Sequence, residues 1–263
     1  LRSPRDGLTV TARGVAFVTG ASSGIGRAVA LRLASQGFTV AVSARRAAEL
    51  EGLAAEHERI VSFPGDVVDR QRMAEIVKEA EAALGPIVLA FLNHGVYFPA
   101  EREGFDADVA WRSFEVNVGG VINCLAPLLA AMEARGRGQI AITASLAGYG
   151  GVPGSMAYGA SKAALIYMAE VLRMTYEPRG LKIQIVNPGF VATQMTDYAD
   201  FDMPFLMSVQ TAADIICKGL EADRFEIAFP RRLALFFKAA RLLPYPLLLP
   251  LMRRAASRAQ REG

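Results

Sequence analysis

The chain has 263 residues, 52% of them apolar, with a formal net charge of +3 and two cysteines. That length and apolar share suffice to bury one large core, fit a single α/β domain (1–263) better than two, and exclude a disordered or disulfide-framed chain. Cys124 and Cys217 lie far apart in segments that read as helices, so no disulfide and no metal site are expected, and a reducing, cytoplasmic setting follows.

The first 14 residues mix arginine, proline and aspartate without a continuous apolar block, and so read as neither signal peptide nor membrane anchor. Residues 15–19 then form a short apolar run that stops at glycine, and 24–36 carry apolar residues at helical spacing before Gly37. Strands are predicted next at 39–43, 60–63, 88–92, 139–144, 182–186 and 225–229. Helices fall between them at 47–57, 68–84, 111–133, 158–177 and 211–222. Strictly alternating strands and helices imply an α/β fold, a Rossmann-type doubly wound parallel sheet of about seven strands with helices on both faces.

Between the first strand and helix stands Thr19-Gly20-Ala21-Ser22-Ser23-Gly24-Ile25-Gly26. A glycine-rich turn in that context allows a tight bend, close approach of a pyrophosphate, and close packing of the helix on the sheet. The second strand ends in Ala44-Arg45-Arg46, where a carboxylate would favour a ribose 2′-hydroxyl and a guanidinium a 2′-phosphate. NADP(H) is therefore expected over NAD(H). After the third strand, Asp66 and Val67 occupy the same sheet edge, where Asp66 can accept from an adenine amino group or cap the next helix. Asn93-His94-Gly95 follows the fourth strand. Gly95 would let backbone pass close to a ribose, whereas His94, with no triad or metal partners nearby in sequence, reads as structural.

Tyr158-Gly159-Ala160-Ser161-Lys162 puts a phenol and an ammonium on one helix face, one turn apart. A phenol titrates near pH 10 in water, and a neighbouring cation lowers that value, so the pair can act as a tuned general acid or base. Beside a nicotinamide it suggests hydride transfer at a carbonyl carbon with proton delivery to its oxygen.

Taken in order, Thr19-Gly20-x-x-x-Gly24-x-Gly26, Asp66, Asn93-x-Gly95, Asn117, Ser145, Tyr158-x-x-x-Lys162 and Pro188-Gly189 with Thr193 resemble the motifs of the short-chain dehydrogenase/reductase family, in its compact single-domain branch, across residues 15–229. The resemblance implies that Tyr158 is the proton donor, that Ser145 holds the substrate oxygen, and that Lys162 both acidifies Tyr158 and bonds the nicotinamide ribose. Asn117 would hold a water linking Lys162 to solvent. Gly20, Ser22, Ser23, Gly24, Ile25, Gly26, Arg45, Arg46, Asp66, Val67, Asn93, Gly95, Pro188, Gly189, Val191 and Thr193 would line the cofactor. His94 and Ser23 depart from the family pattern: His94 replaces a smaller residue, and Ser23 is neutral where some NADP-using members place a base. Dimers or tetramers would form through the helices around Trp111 and Tyr167.

In this family the segment at 194–209 covers the substrate, and here it holds Met195, Tyr198, Phe201, Met203, Phe205, Leu206 and Met207. Thioethers and aromatics adapt to apolar shapes, so an apolar or lipid-like ketone or aldehyde is the expected substrate. From Arg231 onward there are eight Lys/Arg against one acid, which leaves −4 for the rest of the chain. This tail interleaves basic residues with leucines and phenylalanines, and Pro244, Pro246 and Pro250 are expected to break any long helix. It suits a segment lying on an anionic membrane surface, or one covering the substrate pocket or a neighbouring subunit. Nucleic-acid binding is not expected, because the basic tail lacks a recognisable fold for it. The leading expectation is an NADPH-dependent ketone or aldehyde reductase. The alternative is an NADP(H)-binding sensor or scaffold without turnover, docked through the tail.

Overall fold

The computed structural model describes residues 13–196 and 203–259. The reading of residues 1–12, and of Tyr198 and Phe201, falls outside the described part. Seven strands form one parallel sheet in the order β3-β2-β1-β4-β5-β6-β7: β1 (Val15–Thr19), β2 (Thr39–Ser43), β3 (Ile60–Ser62), β4 (Ile87–Leu92), β5 (Gly138–Thr143), β6 (Leu181–Pro188) and β7 (Glu226–Phe229).

Alternation along β1 shows why both faces must be covered. Val15 and Phe17 join one buried cluster, Ala16 and Val18 the other, because successive side chains of a strand point to opposite faces. The first cluster is closed by α3 (Arg70–Leu84), α5 (Gly120–Ala134) and α6 (Met156–Tyr176), through Met73, Ile76, Leu128 and Leu165. The second is closed by α1 (Gly24–Ser35), α2 (Ala47–Glu56) and α7 (Val209–Glu221), through Val29, Leu33, Leu50 and Ile216. Chain order reverses at β1, which pairs with both β2 and β4. A parallel sheet leaves a crevice at that reversal, beyond the strands' carboxyl ends.

Two elements differ from their sequence expectation. The helix predicted from residue 111 starts earlier, at α4 (Ala107–Phe114), because the Asp106 carboxylate accepts from the Asp108 and Val109 amides at 2.9 and 3.0 Å and so caps its first turn. A π-helical turn, Glu115–Gly119, then joins α4 to α5. The whole helix, Ala107–Ala134, is long and apolar enough to cross a bilayer, yet its Val121, Leu125, Leu128 and Met132 side is buried against the sheet. The tail is also more regular than its prolines suggested. It folds as α8 (Arg231–Ala240) and α9 (Tyr245–Ala259). Pro246 sits in the first turn of α9, where no amide hydrogen is needed, and Pro250 removes one helical hydrogen bond without ending the helix.

Candidate active site

The glycine turn after β1 is built as its sequence demands. Gly20 and Gly24 have φ of +64° and +54°, a region that favours glycine. A Cβ on Gly26 would collide with the Gly20 carbonyl and stand 2.7 Å from Asn93 Nδ2. Thr193, in the loop after β6, reaches over the turn, with its methyl group 3.2 Å from where a Gly24 Cβ would be. The segment after β6 closes on itself by a parallel bridge between Val191 and Met207.

Arg46 folds back onto this turn. Its guanidinium donates to Ser22 Oγ at 3.0 Å and to Ser23 Oγ at 2.9 Å, while Arg45 is exposed beside it. An exposed guanidinium braced by two hydroxyls is suited to a phosphate monoester. Asp66 Oδ1 accepts from the Val68 amide at 3.2 Å, and the cap of α3 is supplied by Asp69, which accepts from the Arg72 amide at 2.9 Å. Capping is therefore not the role of Asp66.

His94 does not face the crevice. Its Nδ1 meets Thr19 Oγ1 at 2.8 Å, and its ring lies where a Cβ on Gly120 would stand 2.7 Å from Nε2. Among the described residues Nε2 has no hydrogen-bond partner. Burial, reinforced by Lys162 and partly offset by a backbone group of Val116, lowers its pKa to about 3. It is a neutral core imidazole, and the bulk that departs from the family pattern is absorbed inward against a glycine.

The four residues predicted to be catalytic converge beyond β4 and β5. Lys162 Nζ donates to the Thr143 carbonyl at 3.0 Å and lies 5.7 Å from the centroid of the Tyr158 ring. Burial pulls its pKa down to about 8. Asn117 stands in the π turn, whose extra residue re-aims side chains locally. Its Oδ1 accepts from the Val96 amide at 2.8 Å, and its Nδ2 donates to the Val96 carbonyl at 3.1 Å and to Ser161 Oγ at 3.0 Å. A Cβ on Gly95 would be 3.2 Å from Asn117 Oδ1 and 3.3 Å from Lys162 Nζ, so glycine there brings amide and ammonium to one spot.

Ser145 ends β5. Its hydroxyl accepts from the Ala147 amide at 3.1 Å and reaches the Pro188 carbonyl at 3.4 Å, which makes it a turn residue. It also lies close enough to the Tyr158 hydroxyl to favour the phenolate. Burial raises the Tyr158 pKa, Ser145 lowers it, and Glu101 and Tyr97 raise it. The expected acidification by Lys162 alone is not what the protein's own side chains produce. The desolvation of a buried phenol outweighs a cation lying over the ring.

Three contributors were not legible in sequence. Glu101 lies in a 3-10 turn, Pro99–Arg102, and its buried carboxylate accepts from the Ala157 and Tyr158 amides at 2.9 and 3.0 Å. Tyr97 packs edge-on against the Tyr158 ring, with centroids 5.5 Å apart. On the far side, Glu226 of β7 bonds Tyr149, Asn187 and Lys238 of α8. In sequence Glu101 is one charge in the run Glu101-Arg102-Glu103, with no periodicity to distinguish it.

The sequence model of the family described as short chain dehydrogenase matches residues 14–203. An uncharacterized oxidoreductase from Myxococcus xanthus (strain DK1622) is 34% identical over 236 residues, covering 88% of this chain and 93% of its own. Two solved structures share the fold at 24% identity. One is a short-chain dehydrogenase from Sphingobium yanoikuyae in complex with NADPH, with a TM-score of 0.77 and coverage of 86% of this chain and 91% of that one. The other is a short chain dehydrogenase/reductase from Burkholderia phymatum in complex with NAD, with a TM-score of 0.76 and coverage of 86% and 92%. The chain belongs to the short-chain dehydrogenase family and is an oxidoreductase.

Proposed function

We propose that this protein is an NADPH-dependent reductase of an apolar ketone or aldehyde, with Tyr158 as its proton donor. The observation that carries the reading is the convergence of Ser145, Tyr158, Lys162 and Asn117 at the carboxyl ends of β4 and β5, on the same sheet edge as the glycine turn that follows β1. NADPH, bound in that crevice, supplies the hydride. Its pyrophosphate would lie over Gly20, Gly24 and Gly26. Arg46, braced by Ser22 and Ser23 and assisted by Arg45, would take the 2′-phosphate. Asp66 and Val67 would flank the adenine, Asn93 and Gly95 the ribose, and Pro188, Gly189, Val191 and Thr193 the nicotinamide side.

The residues then divide the work. Ser145 donates to the substrate carbonyl oxygen and orients it toward Tyr158. Tyr158 delivers its phenolic proton to that oxygen as negative charge develops there. A phenol held above its usual pKa stays protonated until that moment, which suits an acid more than a base. Lys162, charged below about pH 8, stabilises the phenolate left behind. One lone pair on Asn117 Oδ1 stays open beside it to hold a water through which the proton is replaced. Met195, Met203, Phe205 and Met207 favour an apolar substrate. The exposed Trp111 and Tyr167 of α4 and α6 favour association between copies of the chain.

The test is NADPH oxidation with a panel of hydrophobic ketones and aldehydes, comparing the parent with Tyr158→Phe. A loss of about 10²- to 10⁴-fold in kcat is expected for removal of a general acid. Undiminished turnover by Tyr158→Phe would overturn the assignment. Cofactor binding without turnover on any compound would move the reading to a non-catalytic sensor.

A further inference from the structure

The described surface carries two large apolar areas, and their charges differ in kind. On the α4 and α6 side, Phe105, Trp111, Tyr167 and Met174 are exposed among Asp106, Asp108, Arg112, Glu115, Glu170 and Arg173. Signs are mixed there, so a second copy meeting it about a two-fold axis finds complementary charges. On the α8 and α9 side, Leu235, Leu242, Tyr245, Leu247 and Leu249 are between 59% and 85% exposed, within fifteen residues of chain. Residues 231–259 contain seven Lys/Arg and no acid. Glu226 of β7 pairs with Lys238, and Arg241 donates to the Tyr149 carbonyl, while Arg231, Arg232 and Arg254 are exposed at the two ends of the patch.

A self-complementary contact through this second face would press cations against cations, while a zwitterionic or neutral surface would leave them without counter-charge. We propose that α8 and α9 dock on an anionic lipid surface, with the leucines and Tyr245 entering the headgroup boundary and the arginines meeting phosphate and carboxylate headgroups. Placement adds a consequence for the active site. α8 follows directly from β7 at the sheet's carboxyl edge, and Pro230 and Leu233 pack against Gly189. Docking therefore holds the substrate side next to the lipid phase, where an apolar carbonyl compound is concentrated.

Co-sedimentation of the full chain with phosphatidylcholine vesicles, with and without phosphatidylserine, tests this. The chain should partition at least about tenfold better to the anionic vesicles and release as salt rises. Arg231→Glu/Arg232→Glu/Arg254→Glu and, separately, Leu242→Glu/Leu247→Glu should each lower partitioning by about tenfold or more. Equal or absent binding to both vesicle types overturns the proposal. So does intact lipid binding by Leu242→Glu/Leu247→Glu, or a change in that variant's oligomeric state with no change in partitioning, which assigns the face to a protein partner. Tyr158→Phe should sediment like the parent, so docking and the reductase reading fail or hold separately.

A different observation carries a second inference, which rests on the reductase reading. We infer that Glu101 is a positioning residue for Tyr158, gripping the Ala157 and Tyr158 amides in the first turn of α6 so that the phenol is held toward Ser145. Four groups act on the Tyr158 side chain from the surrounding elements: Lys162 one turn on, Tyr97 after β4, Ser145 after β5, and Glu101 itself; His94 in turn feels the charge of Lys162. Glutamine keeps an acceptor for both amides and removes the charge that raises the Tyr158 pKa. Glu101→Ala should lose about tenfold or more in kcat, and Glu101→Gln should recover it. Glu101→Gln should also move the alkaline limb of ketone reduction to lower pH, since a less strongly held proton leaves earlier. An unmoved limb overturns the inference even where Glu101→Ala fails to fold. If Tyr158→Phe still turns over, the underlying reading fails instead.

Discussion

The two halves of the sheet's carboxyl edge are built on different physics. Around β1, β2 and β3, the crevice is shaped by backbone turns, and its charges, Arg45 and Arg46, stand at the surface. Around β4, β5 and β6, Lys162 and Glu101 are buried and tied to partners far away in sequence, Lys162 to Thr143 and Glu101 to the start of α6, while the half-buried Glu226 of neighbouring β7 is tied to Tyr149 and α8. An exposed cation costs little to keep and contributes affinity. A buried one is expensive in the fold, so its retention points to a task at the reacting atoms. The difference predicts which substitutions alter binding and which alter rate and stability.

The sharpest way to break this contrast is Lys162→Met. Its folded pKa of about 8 lies below the unfolded value of 10.5. The charged form is thus disfavoured on folding, and stability rises as pH climbs from 8 to 10.5. Removing the ammonium should reduce kcat by about 10²- to 10⁴-fold, while thermal unfolding near pH 7 shows no loss of stability or a gain. A large drop in Tm with rate preserved would make Lys162 structural.

His94 offers a smaller effect on the same buried side. Its folded pKa of about 3 is below the unfolded 6.5. The unfolded chain therefore binds the extra proton first, and stability is lost as pH falls from 6.5 toward 3, by a few kcal/mol at most. Denaturant titrations at pH 7 and pH 5 should show that decline in the parent and a flatter dependence in His94→Ala, whatever the variant's baseline.

On the exposed side, Arg46→Ala should leave the fold and the NADH reaction nearly unchanged and reduce kcat/KM for NADPH by about ten- to a hundredfold, the range of a lost charge-assisted hydrogen-bond pair. Steady-state kinetics with both cofactors decide it. An equal loss for both would mean that Arg46 serves the turn, through Ser22 and Ser23, more than a phosphate.

The smallest effect separates α8 from the rest. Burial acts to raise the Glu226 pKa, but hydrogen bonds from Lys238, Tyr149 and Asn187 bring it below 4.5. Its stabilising contribution is present above the unfolded value and lost as pH falls through the lower, folded one. Glu226→Gln should lower Tm by a few degrees at neutral pH, corresponding to about 1 kcal/mol for a partly exposed pair, and should remove that acid-dependent part of the transition.

What the amino-acid sequence determined alone was whatever repeats locally. Alternating apolar runs and helical spacings defined the strands and helices, the glycines at 20, 24 and 26 marked the turn, and Tyr158 with Lys162 declared themselves by one helical turn of separation. Those features depend on residues a few positions apart, which periodicity and backbone sterics make readable. The tertiary structure decided whatever depends on contacts between distant residues. It turned His94 inward onto Gly120, assigned the α3 cap to Asp69 in place of Asp66, and ordered the tail into two helices in spite of its prolines. It also brought Glu101 to the amide of Tyr158 itself, 57 positions away. Burial set the phenol's acidity against the expectation from its neighbouring lysine, because desolvation is a property of the packed interior and no spacing along the chain encodes it.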